Sequence, residues 1–173
     1  MAYPIEKKLV IAISSSALFD LSESQAIFAE KGPKAYKAFQ EANLDNVLDK
    51  GVAFPFIKRF LNINKRFSVE QPVEVVLLSR NSASTGKRVF RSIQHYGLDI
   101  TRAAFMEGKS PYEYIPAFNA SLFLSANESD VQDAISAGYP AGVVLPSKIV
   151  LDDDEEELRI AFDFDGVIAD DES

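Results

Sequence analysis

This sequence predicts an α/β fold with a doubly wound, mainly parallel sheet, and three observations predict it. Short apolar runs rich in β-branched residues alternate with stretches of helical spacing. Glycines and prolines punctuate the boundaries between them. Polar residues, above all serines, gather just after the apolar runs, where sheets of this class bind ligands.

The elements follow in order. Residues 8–13, KLVIAI, read as a buried strand that Ser14, Ser15 and Ser16 end. A helical stretch follows over about 22–42 and is interrupted at Gly32–Pro33, a pair that stops one helix and starts the next. Phe54, Phe56, Phe60, Leu61 and Phe67 show weak periodicity, so a short helix is expected near 56–62, with Phe54, Phe56 and Phe60 in the core or, as the alternative, lining a base-stacking pocket. Pro72 introduces VEVVLL, residues 73–78, the clearest strand. Ser82 or Ser84 can cap a helix to about Tyr96, with Val89, Ile93 and Tyr96 on one face and Gly97 as the stop. A short strand is expected at 102–106, a helix from Pro111 to about Phe118, and a strand at 121–125. A helix over 128–137, stopped by Gly138, and a strand at 141–145 complete the alternation. Four strand ends then share one rim: Ser14–Ser16, Ser79–Ser82, Ser125–Asp130 and Asp163–Asp165.

Composition narrows the function. The 173 residues are 47% apolar and 25% charged, the balance of a globular domain with a real core. There is no cysteine and one histidine, His95, which excludes thiolate and His-cluster metal sites. No apolar run reaches the roughly 20 residues that span a bilayer, and the start of the chain has no signal-peptide pattern, so no membrane association and a cytoplasmic location are expected. The net charge of −8 belongs to the tail: residues 150–173 carry −10, and residues 1–149 carry +2. The body lacks the basic stripe that a DNA or RNA polymer requires. Six consecutive acids, Asp152 to Glu157, read as a solvated linker. Lys87, Arg88 and Arg91 read as a solvated helix face, with Arg80 beside Ser79 a candidate anion contact, and His95 as a helix-end residue.

The segment that carries chemistry is Phe162-Asp163-Phe164-Asp165-Gly166-Val167-Ile168, an apolar run ending in D-x-D-G. On a strand, residues i and i+2 share a face, so both carboxylates can converge where the strand breaks at the glycine. Paired carboxylates call for a cation, and Mg²⁺ suits oxygen ligands. Gly166 admits close approach of backbone amides to a phosphate. One aspartate can then attack phosphorus while the other moves a proton.

This segment resembles the first motif of the haloacid dehalogenase phosphatase superfamily. Upstream, VVLLSRNS is similar to its second motif, with Ser79 at the phosphate-binding position, and GKSPYEYI to the region of its third, with Lys109 before a proline-led helix. LFLSANESDVQDAISAGYPAGVVL is similar to the fourth, except that Ala126 and Asn127 stand where paired acids are expected and Asp130 remains in the later position. Taken together, ISSSALFDL, LLSRNSASTGKRV, YGLDITRAAF, SPYEYIPAFNASLFLSANESDV and AFDFDGVIADDES resemble the cytosolic 5′-nucleotidase family of the type-I kind, over nearly the whole chain. That resemblance implies a Rossmann-type, haloacid dehalogenase-like fold and Mg²⁺-dependent hydrolysis of nucleoside 5′-monophosphates. Asp163 would be the nucleophile that becomes an aspartyl-phosphate, and Asp165 the acid and base. Asp163 and Asp165 would hold the metal; Ser79, Arg80, Lys109 and Gly166 would contact phosphate or substrate.

The motif order implies an internal repeat. Laid without gaps, residues 9–20 meet 158–169 with Leu9 on Leu158, Ile11 on Ile160 and Ala12 on Ala161, and Ser14 and Ser16 fall on Asp163 and Asp165. The expected organisation is a degenerate haloacid dehalogenase-like domain over 1–150, an acidic linker over 151–157, and the opening strand and D-x-D motif of a second unit over 158–173. Two functions remain open from the residues. One is a 5′-nucleotidase acting through Asp163. The other is a non-catalytic, phosphatase-like module for nucleotide binding or dimerisation, with self-association into a homo-oligomer compatible with either.

Overall fold

The computed structural model describes residues 5–147 and 156–163. Five strands form one sheet: β1 (Leu9–Ile13), β2 (Val73–Ser79), β3 (Ala103–Phe105), β4 (Leu122–Ser125) and β5 (Ala141–Val143). Their order is β3-β2-β1-β4-β5 and every pairing is parallel. The chain winds outward from β1 through β2 to β3, then returns to β1's other side with β4 and β5. This is the doubly wound order, and its switch point lies beside β1. The sequence expectation of an α/β parallel sheet is what the molecule shows.

Burial on both faces explains the near-continuous apolar strands. All seven residues of β2 are buried, as are the last four of β1. Ile11, Ile13, Val75 and Leu77 face one layer, built from α1 (Ser15–Leu18), α3 (Phe54–Arg66) and α4 (Ala83–His95). Val10, Ala12, Val76, Leu78 and Phe123 face the other, with Ile115 and with Ala134 of α5 (Glu128–Ser136). Phe54 and Phe60 lie in the first of these clusters and Phe56 packs against it, as expected of core residues.

Helix α2 (Ser22–Ala42) is kinked where expected: Gly32 has φ 76° and Pro33 restarts the helix. Its start is held by Asp20, whose Oδ1 accepts the Ser22 amide at 2.8 Å. Gly51 is required by close approach. A Cβ there would lie 2.6 Å from the Ala17 carbonyl oxygen, so a side chain would push the loop off α1.

Several expectations are corrected. The one-turn α1 adds an element between the expected strand and the helix from 22; Ser14 caps it by accepting the Ala17 amide at 3.2 Å. The helix expected near 56–62 runs from Phe54 to Arg66. The stretch from Pro111 to Phe118 forms two 3₁₀ turns, Pro111–Tyr114 and Pro116–Phe118, because Pro116 cannot donate to a continuing helix. Arg88 does not belong to a solvated face. It is buried, its Nε donates to the Asn46 carbonyl at 2.8 Å, and its guanidinium lies over Phe39.

The largest correction concerns residues 158–163, expected as a strand. Residues 156–163 run without regular secondary structure. The central position of the sheet belongs to β1, paired on both edges by β2 and β4, so the repeat's second copy finds no slot there. Leu158 packs against the core cluster of the α1, α3 and α4 layer, and Lys65 and Glu156 pair at 4.0 Å. Residues 151–155 of the acidic run and residues 164–173, Asp165 and Gly166 included, lie outside the described residues.

Candidate active site

The carboxyl ends of β1, β2 and β4 make a rim whose floor is serine. Ser79 closes β2, and its Oγ accepts the Asn81 amide at 3.1 Å. Ser125 closes β4 and does the same for the Asn127 amide at 3.1 Å. Each serine thus satisfies the first exposed amide beyond its strand, a local turn that short hydroxyl side chains favour. Ser15 and Ser79 share a hydrogen bond of 2.7 Å between hydroxyls, and Asn81 Nδ2 donates to Ser15 Oγ at 2.8 Å. The rim is therefore a cross-linked polar network joining α1 to β2. Ser14 and Ser16, which the repeat aligns with Asp163 and Asp165, lie 3.2 Å apart between hydroxyl oxygens, and Ser14 is committed as the α1 cap.

The acid of the rim is Asp130, almost fully buried in the first turn of α5. Arg80 Nε donates to its Oδ1, while Arg80 Nη2 reaches Ser129 Oγ at 3.2 Å and Asp133 at 3.6 Å. Ser110 Oγ lies 3.5 Å from the same Asp130 oxygen. Burial pushes the Asp130 carboxyl above its ordinary value, against the pull of Arg80. Asn127, standing where an acid was expected, caps α5 by accepting the Ser129 amide at 2.9 Å.

This donor set does not fit a divalent cation. Its carboxylate is already neutralised by a guanidinium, and the neighbouring positions are serine, alanine and asparagine. Among the described residues no group of three or more His, Cys, Asp or Glu side chains could hold a metal ion.

Two hollows open on the rim. One of about 300 Å³ lies over the switch point beside β1, lined by Ser16, Asp20, Ser22, Gln25, Ala126 and Asn127. The larger, about 730 Å³, lies between α2 and the end of β2. The loop after β3 forms one wall, tied to the β2 loop by Met106 N to Ser79 O at 2.9 Å and Gly108 N to Arg80 O at 2.6 Å.

Of the expected site residues, the structure brings Ser79 and Arg80 onto the rim. Lys109 sits just beyond, with an exposed side chain that makes no ion pair among the described residues. Asp163 is exposed and makes no hydrogen bond or ion pair with Ser79, Arg80 or Lys109. Glu156 of its segment lies 4.0 Å from Lys65 in the last turn of α3, both side chains exposed, and Leu158 packs against the core cluster that α3 shares with α1 and α4. Sequence reasoning missed Asn81, Tyr36 and Thr85. Tyr36 Oη donates to Asn81 Oδ1 at 3.2 Å and accepts from Thr85 at 3.1 Å, fastening α2 to the rim. Asn81 was legible as the polar residue two past a strand end; Tyr36 carried no signal, because its direction depends on the kink at Gly32.

A family model described as 5′-nucleotidase matches residues 1–173. The chain belongs to the 5′-nucleotidase family. Human cytosolic 5′-nucleotidase 1B is 34% identical over 170 residues, which is 95% of this chain and 28% of that relative. This 5′-nucleotidase family chain thus spans 28% of the length of the curated relative it matches. Two solved structures of the HAD domain of the effector protein Lem4 from Legionella pneumophila, one of them an inactive mutant, align over 79% of this chain and 84% of theirs. Their identities are 14% and 13% and their TM-scores 0.42 and 0.41. Among the described residues, no helix of this family member is long and apolar enough to cross a membrane.

Proposed function

We propose that this chain supplies the nucleophile for hydrolysis of nucleoside 5′-monophosphates to nucleoside and phosphate. The observation that carries the reading is the family match across all 173 residues, D-x-D segment included. Asp163 would attack phosphorus, forming the aspartyl oxygen–phosphorus bond as the bond to the ribose 5′-oxygen breaks. Asp165 would give its proton to that departing oxygen, then take one from the water that hydrolyses the acyl phosphate. Asp163 suits the first role because its carboxylate is exposed and has no neutralising cation among the described residues. Phosphoryl transfer asks mainly for positioning and charge neutralisation.

The D-x-D donor set fits Mg²⁺ where the rim does not: two carboxylates two residues apart, with Asp163 uncommitted. The ion, held by Asp163 and Asp165, would supply neutralisation of the phosphate charge. Gly166 would let backbone amides approach the phosphate. Ser79, Arg80 and Lys109 fit the substrate-contact role only where a second unit, such as another copy of the chain, brings a D-x-D segment to this rim. The relative is named a cytosolic enzyme, and the same compartment is inferred for this chain.

Phosphate release from a panel of nucleoside 5′-monophosphates, with Mg²⁺ or with EDTA, tests this. The expected result is Mg²⁺-dependent release that Asp163→Asn lowers by at least about a thousandfold, the scale of losing a nucleophile. Release that survives Asp163→Asn, or none from folded protein, would overturn the reading.

A further inference from the structure

Residues 65–71, which join α3 to β2, are all exposed. Lys65 and Arg66 close the last turn of α3, and Phe67, Ser68, Val69 and Glu70 form the turn that follows. A single backbone bond spans that turn, Gln71 N to Phe67 O at 2.8 Å. Val69, 90% exposed, is the most exposed large apolar side chain among the described residues. The Ser68 hydroxyl beside it makes no hydrogen bond among the described residues.

The order of side chains around Ser68 is specific. It is the only serine or threonine of the sequence with cations both two and three places before it, Arg66 and Lys65. Serine kinases with an acid-lined substrate groove read that pattern, because each cation makes a charge-assisted contact in the groove and an apolar residue after the serine fills a dry pocket. Val69 stands in that following position. Both cations are available. Arg66 makes no ion pair among the described residues, and Lys65 meets only the exposed Glu156 at 4.0 Å, a contact of small worth.

A kinase takes its substrate extended, so residues 65–69 must straighten. No buried side chain resists this, because the buried residues of α3 are Phe54, Ile57, Phe60 and Leu61, all upstream. What opens is the last helical turn, with Phe67 N to Ile63 O at 3.1 Å, and the bond that spans the turn. Helix ends open locally at low free energy. The product places a dianion after the carboxyl end of α3, where the helix dipole disfavours it, but within three residues of Lys65 and Arg66, which offset that repulsion.

We propose that Ser68 is a phosphorylation site for a basic-directed protein serine kinase. Ser68 Oγ would bond to the γ-phosphorus of a nucleoside triphosphate as the bond from that phosphorus to the oxygen bridging the β-phosphate breaks. The hydroxyl proton goes to the kinase's base, and the nucleoside diphosphate leaves. The inference rests on neither Asp163 nor the rim.

The test uses the folded 173-residue chain carrying Asp163→Asn, so that no acyl phosphate forms on that residue, with Mg²⁺, ATP labelled in its γ-phosphate and a purified serine kinase of this kind. Peptide mapping should place one phosphoryl group per chain on the peptide containing Ser68, labile to alkali and stable to hydroxylamine. Ser68→Ala should abolish that label. Arg66→Ala should lower kcat/KM for phosphorylation by about tenfold, the scale of one lost charge-assisted contact, and Arg66→Lys should restore part of it. Both positions are exposed, so these variants should keep the thermal midpoint of the parent. Chain recovered from its own cells with phosphatases inhibited should carry phosphate on the same peptide. No label on Ser68 of the folded chain would overturn the proposal, and label on the free peptide of residues 62–72 alone would mean that the turn is closed to the kinase. Label that survives Ser68→Ala, a rate indifferent to Arg66→Ala, or recovered chain without phosphate on Ser68 would overturn it as well.

Discussion

Asp130 shows how one residue decides what a rim can do. Its ion pair with Arg80 takes the position that a metal-binding acid would need, and its burial raises its affinity for a proton. The folded chain therefore holds that proton more tightly than the unfolded one. The stabilising contribution is fully present below the ordinary carboxyl value of 3.8 and is lost as pH rises through the raised folded value. Asp130→Asn should remove this slope, so urea unfolding between pH 3 and 7 should show the parent losing ground to the variant as pH rises. A gap moving the other way would mean that Arg80 outweighs burial. Ser79 gives a second prediction at this scale. Its buried hydroxyl bonds both Ser15 and the Asn81 amide. Ser79→Ala should cost about 1–3 kcal/mol in chemical denaturation, the range for a buried polar group left without its partner. The serines of the rim were legible as a class, because each follows an apolar run. Their use as turn supports was not, because which groups they bond is settled by how α1 and the loops pack.

At the scale of elements, sequence reading succeeded where a signal is local. Pro72 and the run 73–78 gave β2, Gly32–Pro33 gave the kink, and Gly97, with φ 63°, ends α4 as its position implied. It failed where tertiary packing decides. The α1 turn and the buried Arg88 were not legible, since four residues of helix and an arginine over Phe39 acquire meaning only against their neighbours. The 158–163 run has strand-like alternation, but the central place that the alignment with residues 9–20 would give it is held by β1, paired on both sides. Gly51 offers a test of element packing. Gly51→Ala would place a methyl 2.6 Å from backbone oxygen on α1. It should destabilise by about 2 kcal/mol or more, the cost of forced backbone movement in a packed region, read as a lowered thermal midpoint. An unchanged midpoint would mean that the α1 loop yields freely.

Across the whole molecule, the sheet order β3-β2-β1-β4-β5 places every polar strand end on one rim, and the family match extends over the full chain. The rim is built from serine, asparagine and an arginine–aspartate pair, whereas the proposed nucleophile, Asp163, lies exposed on a segment without regular secondary structure. The polar rim and the proposed nucleophile are thus not joined by a hydrogen bond or ion pair among the described residues. The fold class and the family resemblance were readable from motif order. The absence of a joining contact was not, because it depends on which of two similar runs takes the central strand. The most direct test is to incubate the chain with Mg²⁺ and a nucleoside 5′-monophosphate labelled in its phosphate, quench in acid, and locate the label by peptide mapping. The account predicts a hydroxylamine-labile phosphoryl group on the peptide carrying Asp163 and none in Asp163→Asn. Label on a rim serine such as Ser14 or Ser79, stable to hydroxylamine, or no labelled peptide at all, would contradict it.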